Sequence, residues 1–174
     1  MKQVNVGFTC GSFDLFHAGH VEMLREVRSK CHTLIVGIQS DPTIDRPEKN
    51  SPVQSIIERQ IQVAACRYVD ETYVYNTEAD LLVLLSTLPI DMRFLGMEYM
   101  NKEYTGRNLS IDVTYNSREH SFSSTDLRRR VYLAELIDVT NLVLEEKYER
   151  SSTCHNVVCC SSAADTYSTK RSCS

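Results

Sequence analysis

The sequence predicts an α/β domain, a doubly wound parallel sheet of about five strands with flanking helices. Three observations lead there. Stretches with the period of a strand alternate with stretches of helical period as far as residue 150. Residues 33–38, Thr-Leu-Ile-Val-Gly-Ile, are a nearly continuous apolar run, as a strand buried on both faces of a parallel sheet requires. The first strand, helix and strand fit within about 35 residues, the length of one right-handed βαβ unit.

Each element has its own signal. Val4, Val6 and Phe8 alternate with polar or small residues, which predicts a first strand over 4–9. Val21, Leu24 and Val27 then recur at helical spacing, predicting a helix over 17–29. The second strand, 33–38, runs into a polar, proline-marked loop over 39–52 that carries Arg46 and Lys49. Ser55 and Glu58 have capping-box spacing and open a helix over 56–66. Its apolar stripe reads as Ile57, Ile61 and Ala64-Ala65, with Arg59 on another face. A third strand covers 72–75, and Thr77 caps the next helix with Asp80 favourable in its first turn. Residues 81–85 are apolar nearly all round, which suits a helix wedged against the sheet, and Pro89 ends it. Residues 91–96 predict a fourth strand, 97–108 a polar loop and 111–115 a fifth strand. Ser123, Ser124, Thr125 and Asp126 make a capped start for a last helix running to about residue 149.

Composition narrows the class. The chain has 174 residues, 42% hydrophobic and 24% charged, enough for one domain with a sizeable core. A net charge of −4 argues against a nucleic-acid coat, and Arg128-Arg129-Arg130 reads as a solvated helix face. No apolar run approaches the roughly 20 residues that span a bilayer. The first residues lack the apolar core of a signal peptide, so a cytoplasmic protein without membrane contact is expected. Cys10, Cys31 and Cys66 are scattered, whereas Cys154, Cys159, Cys160 and Cys173 crowd into a Ser/Thr-rich end. Their spacing matches no ordinary zinc pattern, and no metal ligand is assigned. Residues 1–150 are therefore expected to form a nucleotide-binding catalytic domain, and 151–174 a disordered tail.

The chemistry concentrates between the first strand and the first helix, in Thr9-Cys10-Gly11-Ser12-Phe13-Asp14-Leu15-Phe16-His17-Ala18-Gly19-His20. A helix N-terminus offers unpaired N–H groups and the positive end of a dipole, a natural phosphate cradle. His17 and His20 add imidazole donors on the same first turn, and Asp14 reads as orienting the turn through backbone bonds. The sequence lacks GxxxxGK[ST], which excludes a P-loop, and lacks GxGxxG after the first strand, which disfavours a dinucleotide site.

Gly11-Ser12-Phe13-Asp14 followed by His17-Ala18-Gly19-His20 resembles the signature of the nucleotidyltransferase superfamily with the HxGH motif, in its cytidylyltransferase-like branch. The second signature of that family, an arginine followed by a Ser/Thr-rich helix start, is matched by Arg118-Glu119-His120-Ser121-Phe122-Ser123-Ser124-Thr125. The similarity is greatest to glycerol-3-phosphate cytidylyltransferases and runs from residue 4 to about residue 130.

This resemblance implies an enzyme that transfers CMP from CTP to a small phosphorylated alcohol, glycerol 3-phosphate first, releasing pyrophosphate. By the same resemblance His17 and His20 contact the triphosphate, and Gly19 allows close approach. Gly11, Ser12 and Phe13 line the nucleotide. Ser123, Ser124 and Thr125 hold the outer phosphates with Arg118 as counter-charge, and Lys49 reaches the triphosphate from its loop. Glu98 would accept from the exocyclic amine of cytosine, while Arg59 and Arg67 would face the acceptor substrate. Mg2+ accompanies the triphosphate, and a homodimer is implied. Two departures stand out. His120-Ser121 replaces the usual acid-glycine pair, and Asp80-Leu81-Leu82 stands where the glycerol-3-phosphate enzymes place a lysine. The alternatives are an ATP-dependent adenylyltransferase acting on a sugar phosphate, to which Pro52-Val53 and Glu58-Arg59 have some similarity, and a catalytically idle nucleotide-binding module.

Overall fold

The computed structural model of the chain describes residues 3–117 and 119–161, the last fourteen of these by their backbone alone. Five parallel strands form one sheet: β1 (Val4–Gly11), β2 (Cys31–Gln39), β3 (Glu71–Tyr75), β4 (Met92–Gly96) and β5 (Asp112–Asn116). Helices α1 (Ala18–Arg28), α2 (Ile56–Ala64) and α3 (Glu78–Thr87) connect the first four strands, and α4 (Ser124–Ser161) follows the fifth. The strand order is β3-β2-β1-β4-β5. The chain therefore winds outward from β1 to one side, then returns to β4 on the other. The order reverses between β1 and β4, and in such sheets ligands bind at the carboxyl ends of the strands bordering that reversal.

The sheet is covered on both faces, as the unbroken apolar character of β2 requires. On one face Leu34, Val36 and Ile38 of β2 pack with Leu24 and Val27 of α1, Val63 of α2, Phe94 of β4 and Phe13. On the other, Phe8 and Ile35 pack with Tyr75, Leu81 and Leu85. Alternate residues of β2 thus serve opposite layers.

Local chemistry explains the helix starts. Ser55 accepts from the Glu58 N–H while the Glu58 carboxylate accepts from the Ser55 N–H, and Thr77 with Asp80 repeats the arrangement at α3. α3 is not wedged in all round: only Leu81 and Leu85 are buried, and Leu82 and Val83 face solvent.

α2 departs from its sequence pattern. Ile57 and Ile61, expected as its inward stripe, are 67% and 64% exposed, whereas Arg59 and Val63 are buried. Residues 56, 59 and 63 share one helix face. The polar demand met by Arg59, described below, outweighs the apolar area of two isoleucines when the face is chosen.

The chain divides into two compact units, Met1–Leu127 and Arg128–Ser174. The first holds the sheet, α1 to α3 and the opening turn of α4. In the second, the α4 backbone continues through residue 150, where the composition changes, to Ser161. Residues 162–174 lie outside the described residues, as do the side chains of Cys154, Cys159 and Cys160. No helix among the described residues is long and apolar enough to cross a membrane.

The two capping carboxylates make a pH prediction. Hydrogen bonds from Ser55 hold the Glu58 carboxyl below its ordinary pKa, and hydrogen bonds from Thr77 do the same for Asp80. A carboxylate depressed on folding stabilises fully above its unfolded pKa of about 4, and that stabilisation is lost as the pH falls through the folded value. The double variant Glu58→Gln/Asp80→Asn should therefore lose less Tm than wild type between about pH 5 and pH 2, as followed by circular dichroism.

Candidate active site

The carboxyl end of β1 leads into a turn of unusual backbone. Phe13 and Leu15 are not glycines, yet both lie in the left-handed region, at φ 51° and 50°. Such residues each cost roughly 1–2 kcal/mol, so the turn must be held from outside. Phe13 is anchored by burial, with 3% of its surface exposed. The Asp14 carboxylate accepts from the main-chain N–H groups of Val53 and Gln54, both at 2.9 Å. The Gln54 Oε1 in turn accepts from the Leu15 N–H at 2.8 Å. Asp14 thus bonds to the segment leading into α2, in keeping with a structural carboxylate.

Arg59 completes the strap. Its Nη1 donates to the carbonyls of Ser12 and Gln39, each at 2.7 Å, its Nη2 to Ser40 at 2.5 Å and its Nε to Gln54 at 3.1 Å. Burial lowers the pKa of this guanidinium, against the opposing pull of Asp14 and Asp41. Expected to face the acceptor, Arg59 instead has 1% of its surface exposed and its donors occupied by main-chain carbonyls. It is a positioning residue. Arg67 is displaced from the site for a topological reason. It follows the C-terminal end of α2, four residues before β3 begins, and therefore stands at the amino edge of the sheet. There it is exposed and lies over the Tyr68 ring at 5.8 Å.

Beyond the turn, His17 is the N-cap of α1. Its Nδ1 accepts from the Gly19 N–H at 3.0 Å, while the His17 N–H donates to His20 Nδ1 at 3.3 Å. The capping box is thus made of two imidazoles, stacked with ring centroids 4.0 Å apart and backed by Phe13 and Phe16. With Nδ1 of each ring accepting, the neutral tautomers carry the proton on Nε2. His17 Nε2 lies 3.2 Å from Ser124 Oγ, whose own hydroxyl donates to the Asp14 carbonyl at 3.0 Å. Ser123 Oγ caps α4 by accepting from the Asp126 N–H at 3.1 Å. Two helix N-termini therefore meet at one place, and both direct partial positive charge there.

Gly19 explains its own identity. A Cβ there would sit 2.9 Å from His17 Cε1 and 2.7 Å from Cε1 of His120. His120 is a member of the site that the sequence patterns did not assign. The signal was visible as the histidine replacing the usual acid-glycine pair, but only the fold brings it against Gly19. Its Nδ1 is shielded from solvent and has no hydrogen-bond partner among the described residues.

The remaining expected residues divide. Gly11 ends β1 beside the turn, and the Ser12 carbonyl is taken by Arg59. Thr125 is exposed in the first turn of α4. Glu98 belongs to a single 3-10 turn, Met97–Tyr99, that follows β4, and its carboxylate folds over Gly96. It thus occupies the other border of the strand-order reversal. Lys49 is exposed on the loop between β2 and α2 and is not among the residues gathered around the histidines. Arg118 lies outside the described residues. The donor set is imidazole, hydroxyl and main-chain N–H, which suits an anion. Among the described residues no group of three or more His, Cys, Asp or Glu side chains could hold a metal ion.

Comparison with known proteins gives the family. A family model described as cytidylyltransferase-like matches residues 8–130. The bifunctional protein HldE of Rhodospirillum rubrum is 38% identical over 134 residues, covering 74% of this chain and 27% of that protein. The probable ethanolamine-phosphate cytidylyltransferase of Encephalitozoon cuniculi is 49% identical over 73 residues, 42% of this chain and 23% of that protein. The chain thus spans about a quarter of the length of these relatives. The crystal structure of the lipopolysaccharide core biosynthesis protein from Thermoplasma volcanium superposes with a TM-score of 0.56 at 20% identity, covering 67% of this chain and 98% of that one. That likeness concerns the fold.

Two substitutions test the construction. Gly19→Ala must displace the His17 and His120 rings, and misplacement on the 1 Å scale costs about a hundredfold in rate; steady-state kinetics should show that loss with little change in Tm. Arg59→Met leaves buried carbonyls unpaired and should lower stability by about 3 kcal/mol, read from urea unfolding.

Proposed function

The chain belongs to the cytidylyltransferase-like family, and from that premise we propose that it is a nucleotidyltransferase moving CMP from CTP to a small phosphorylated alcohol. One observation carries this reading: His17 on α1 and Ser124 on α4, 107 positions apart, meet at 3.2 Å, which brings two helix starts together at one place. An oxygen of the acceptor's phosphate attacks the α-phosphorus. A new P–O bond forms as the bond from the α-phosphorus to the bridging oxygen breaks, and that electron pair leaves with pyrophosphate. The Nε2–H groups of His17 and His20 stabilise charge as the α-phosphorus becomes five-coordinate. The outer phosphates lie against Ser123, Ser124 and Thr125 at the start of α4, with Arg118 as their counter-charge. Lys49 reaches them from its loop. Glu98, beside the end of β4, accepts from the cytosine amine. Mg2+ would accompany the triphosphate and supply neutralising charge to the leaving pyrophosphate. The enzyme works in the cytoplasm, where nucleoside triphosphates are held, and without nucleic acid.

Within this reading glycerol 3-phosphate and ethanolamine phosphate are the acceptors to separate. Asp80, where a lysine would serve glycerol 3-phosphate, is occupied as the N3 residue of the α3 capping box. The E. cuniculi relative, a probable ethanolamine-phosphate cytidylyltransferase, favours ethanolamine phosphate. The second reading, ATP with a sugar phosphate, draws on the HldE relative. It draws nothing from Glu58 and Arg59, whose capping and strapping roles account for that segment.

Pyrophosphate release over CTP, ATP, UTP and GTP against a panel of phosphorylated alcohols and sugar phosphates tests the proposal. CTP with a phosphorylated alcohol should be the active pair, whereas activity with ATP alone would overturn it, and silence across the panel would favour an idle module. His17→Ala or His20→Ala should lower turnover about a hundredfold or more, the usual cost of one lost transition-state donor.

A further inference from the structure

We propose that His120 is a third imidazole of the phosphate site, hydrogen-bonding an outer phosphate of the bound nucleoside triphosphate. The inference rests on the triphosphate reading above and adds a residue to it. His120-Ser121 stands where the family signature usually has an acid-glycine pair, so a side chain that repels phosphate gives way to one that can donate to it. The fold brings this residue to the other two histidines. Residues 117–123 join β5 to α4 and are fastened at both ends. Ser117 Oγ donates to the Glu26 carboxylate of α1 at 3.3 Å, and Ser124 Oγ to the Asp14 carbonyl at 3.0 Å. Between these anchors the His120 ring comes down on the first turn of α1. Its Cε1 and that of His17 both lie within 2.9 Å of the place a Gly19 Cβ would take.

Unspent hydrogen-bonding capacity sets this ring apart from its neighbours. His17 and His20 each commit Nδ1 to the start of α1. His120 Nδ1 is shielded from solvent, yet no described residue bonds to it. The Phe122 ring, 5.6 Å away between centroids, offers it only carbon. A shielded polar atom without a partner is disfavoured, and a rotation of the ring toward a phosphate oxygen supplies the partner. An anion drawn to the paired helix starts comes to the same place, since His120 precedes Ser123, the cap of α4, by three residues. The outer phosphates leave together as pyrophosphate, so the contact exists in the ground state and the transition state alike. Its loss therefore raises KM for the nucleotide and spares kcat.

Titration calorimetry and steady-state kinetics of His120→Phe, His120→Asn and His120→Gln in the full chain test this. Phenylalanine keeps a ring over Gly19 and no nitrogen, whereas the two amides each place an N–H near one ring nitrogen and give up the ring. His120→Phe should bind CTP about tenfold more weakly, the cost of one hydrogen bond to a charged group, with KM raised to match and kcat nearly unchanged. The better of the two amides should stay within about threefold of wild type on the same scale. Inorganic tripolyphosphate should show the same order of affinities, since the contact is to phosphate alone. The reverse order, with phenylalanine near wild type and both amides weak, would reduce His120 to packing and overturn the proposal. A fall in kcat with CTP affinity unchanged would overturn it too. Equal binding of CTP and tripolyphosphate by wild type and His120→Phe removes His120 and leaves the site standing. A wild type that binds none of CTP, ATP and tripolyphosphate removes the triphosphate site itself, and this inference with it.

Discussion

Two residues with full side chains, Phe13 and Leu15, are held in left-handed conformation within the turn that leads to the paired imidazoles of His17 and His20. The cost of roughly 1–2 kcal/mol for each is met from a different part of the chain. Hydrogen bonds to a charged carboxylate contribute about 1.5–3 kcal/mol each, and Asp14 makes two with the segment before α2. Arg59 then fastens the same turn to the end of β2. The strap does two things at once. It fixes where β1 hands over to α1, and it fixes where the first turn of α1 points.

That dependence explains why α2 turns a guanidinium inward. Its donors satisfy carbonyls at the ends of β1 and β2 and in the loop beyond. With the turn fixed, His17 can cap its own helix through Nδ1 and keep Nε2 for Ser124. Ser124 ties the opening of α4 back to the Asp14 carbonyl, so the two helix starts belong to one hydrogen-bonded unit. A second polar network steadies the opposite face. Arg93 of β4, buried, bonds to the Thr105 carbonyl and lies 3.8 Å from the Cys10 sulfur, and Thr105 reaches Glu78, which pairs with Arg46 at 2.9 Å. Burial and the neighbouring Cys10 push the Tyr75 phenol far up, so that ring stays neutral beneath the loops.

Much of this was legible in the residues themselves. The apolar run of β2, the capping boxes at Ser55 and Thr77, and the paired histidines followed by a distant Ser-rich helix start are local signals, and the structure holds each where periodicity or spacing puts it. What was illegible depends on tertiary demand. The helical moment of α2 pointed Ile57 and Ile61 inward, but period alone does not register that four carbonyls need a donor. Arg67 follows Arg59 by eight residues, yet α2 ends at Ala64 and the chain beyond it leaves Arg67 at the opposite edge of the sheet. His120 carries no periodic signal, and its packing against Gly19 exists only once β5 has brought the chain back beside α1.

The proposed function requires the two imidazoles to be preset, with Nδ1 taken by the helix start and Nε2 carrying the proton that a bound triphosphate would meet. Nitrogen-15 NMR of histidine-labelled protein reads this directly. Both His17 and His20 should be Nε2-protonated in the free protein, and the Nε2 signals of both should shift when CTP binds. An Nδ1-protonated tautomer at either ring, or Nε2 signals unmoved while the nucleotide's own resonances report binding, would contradict it.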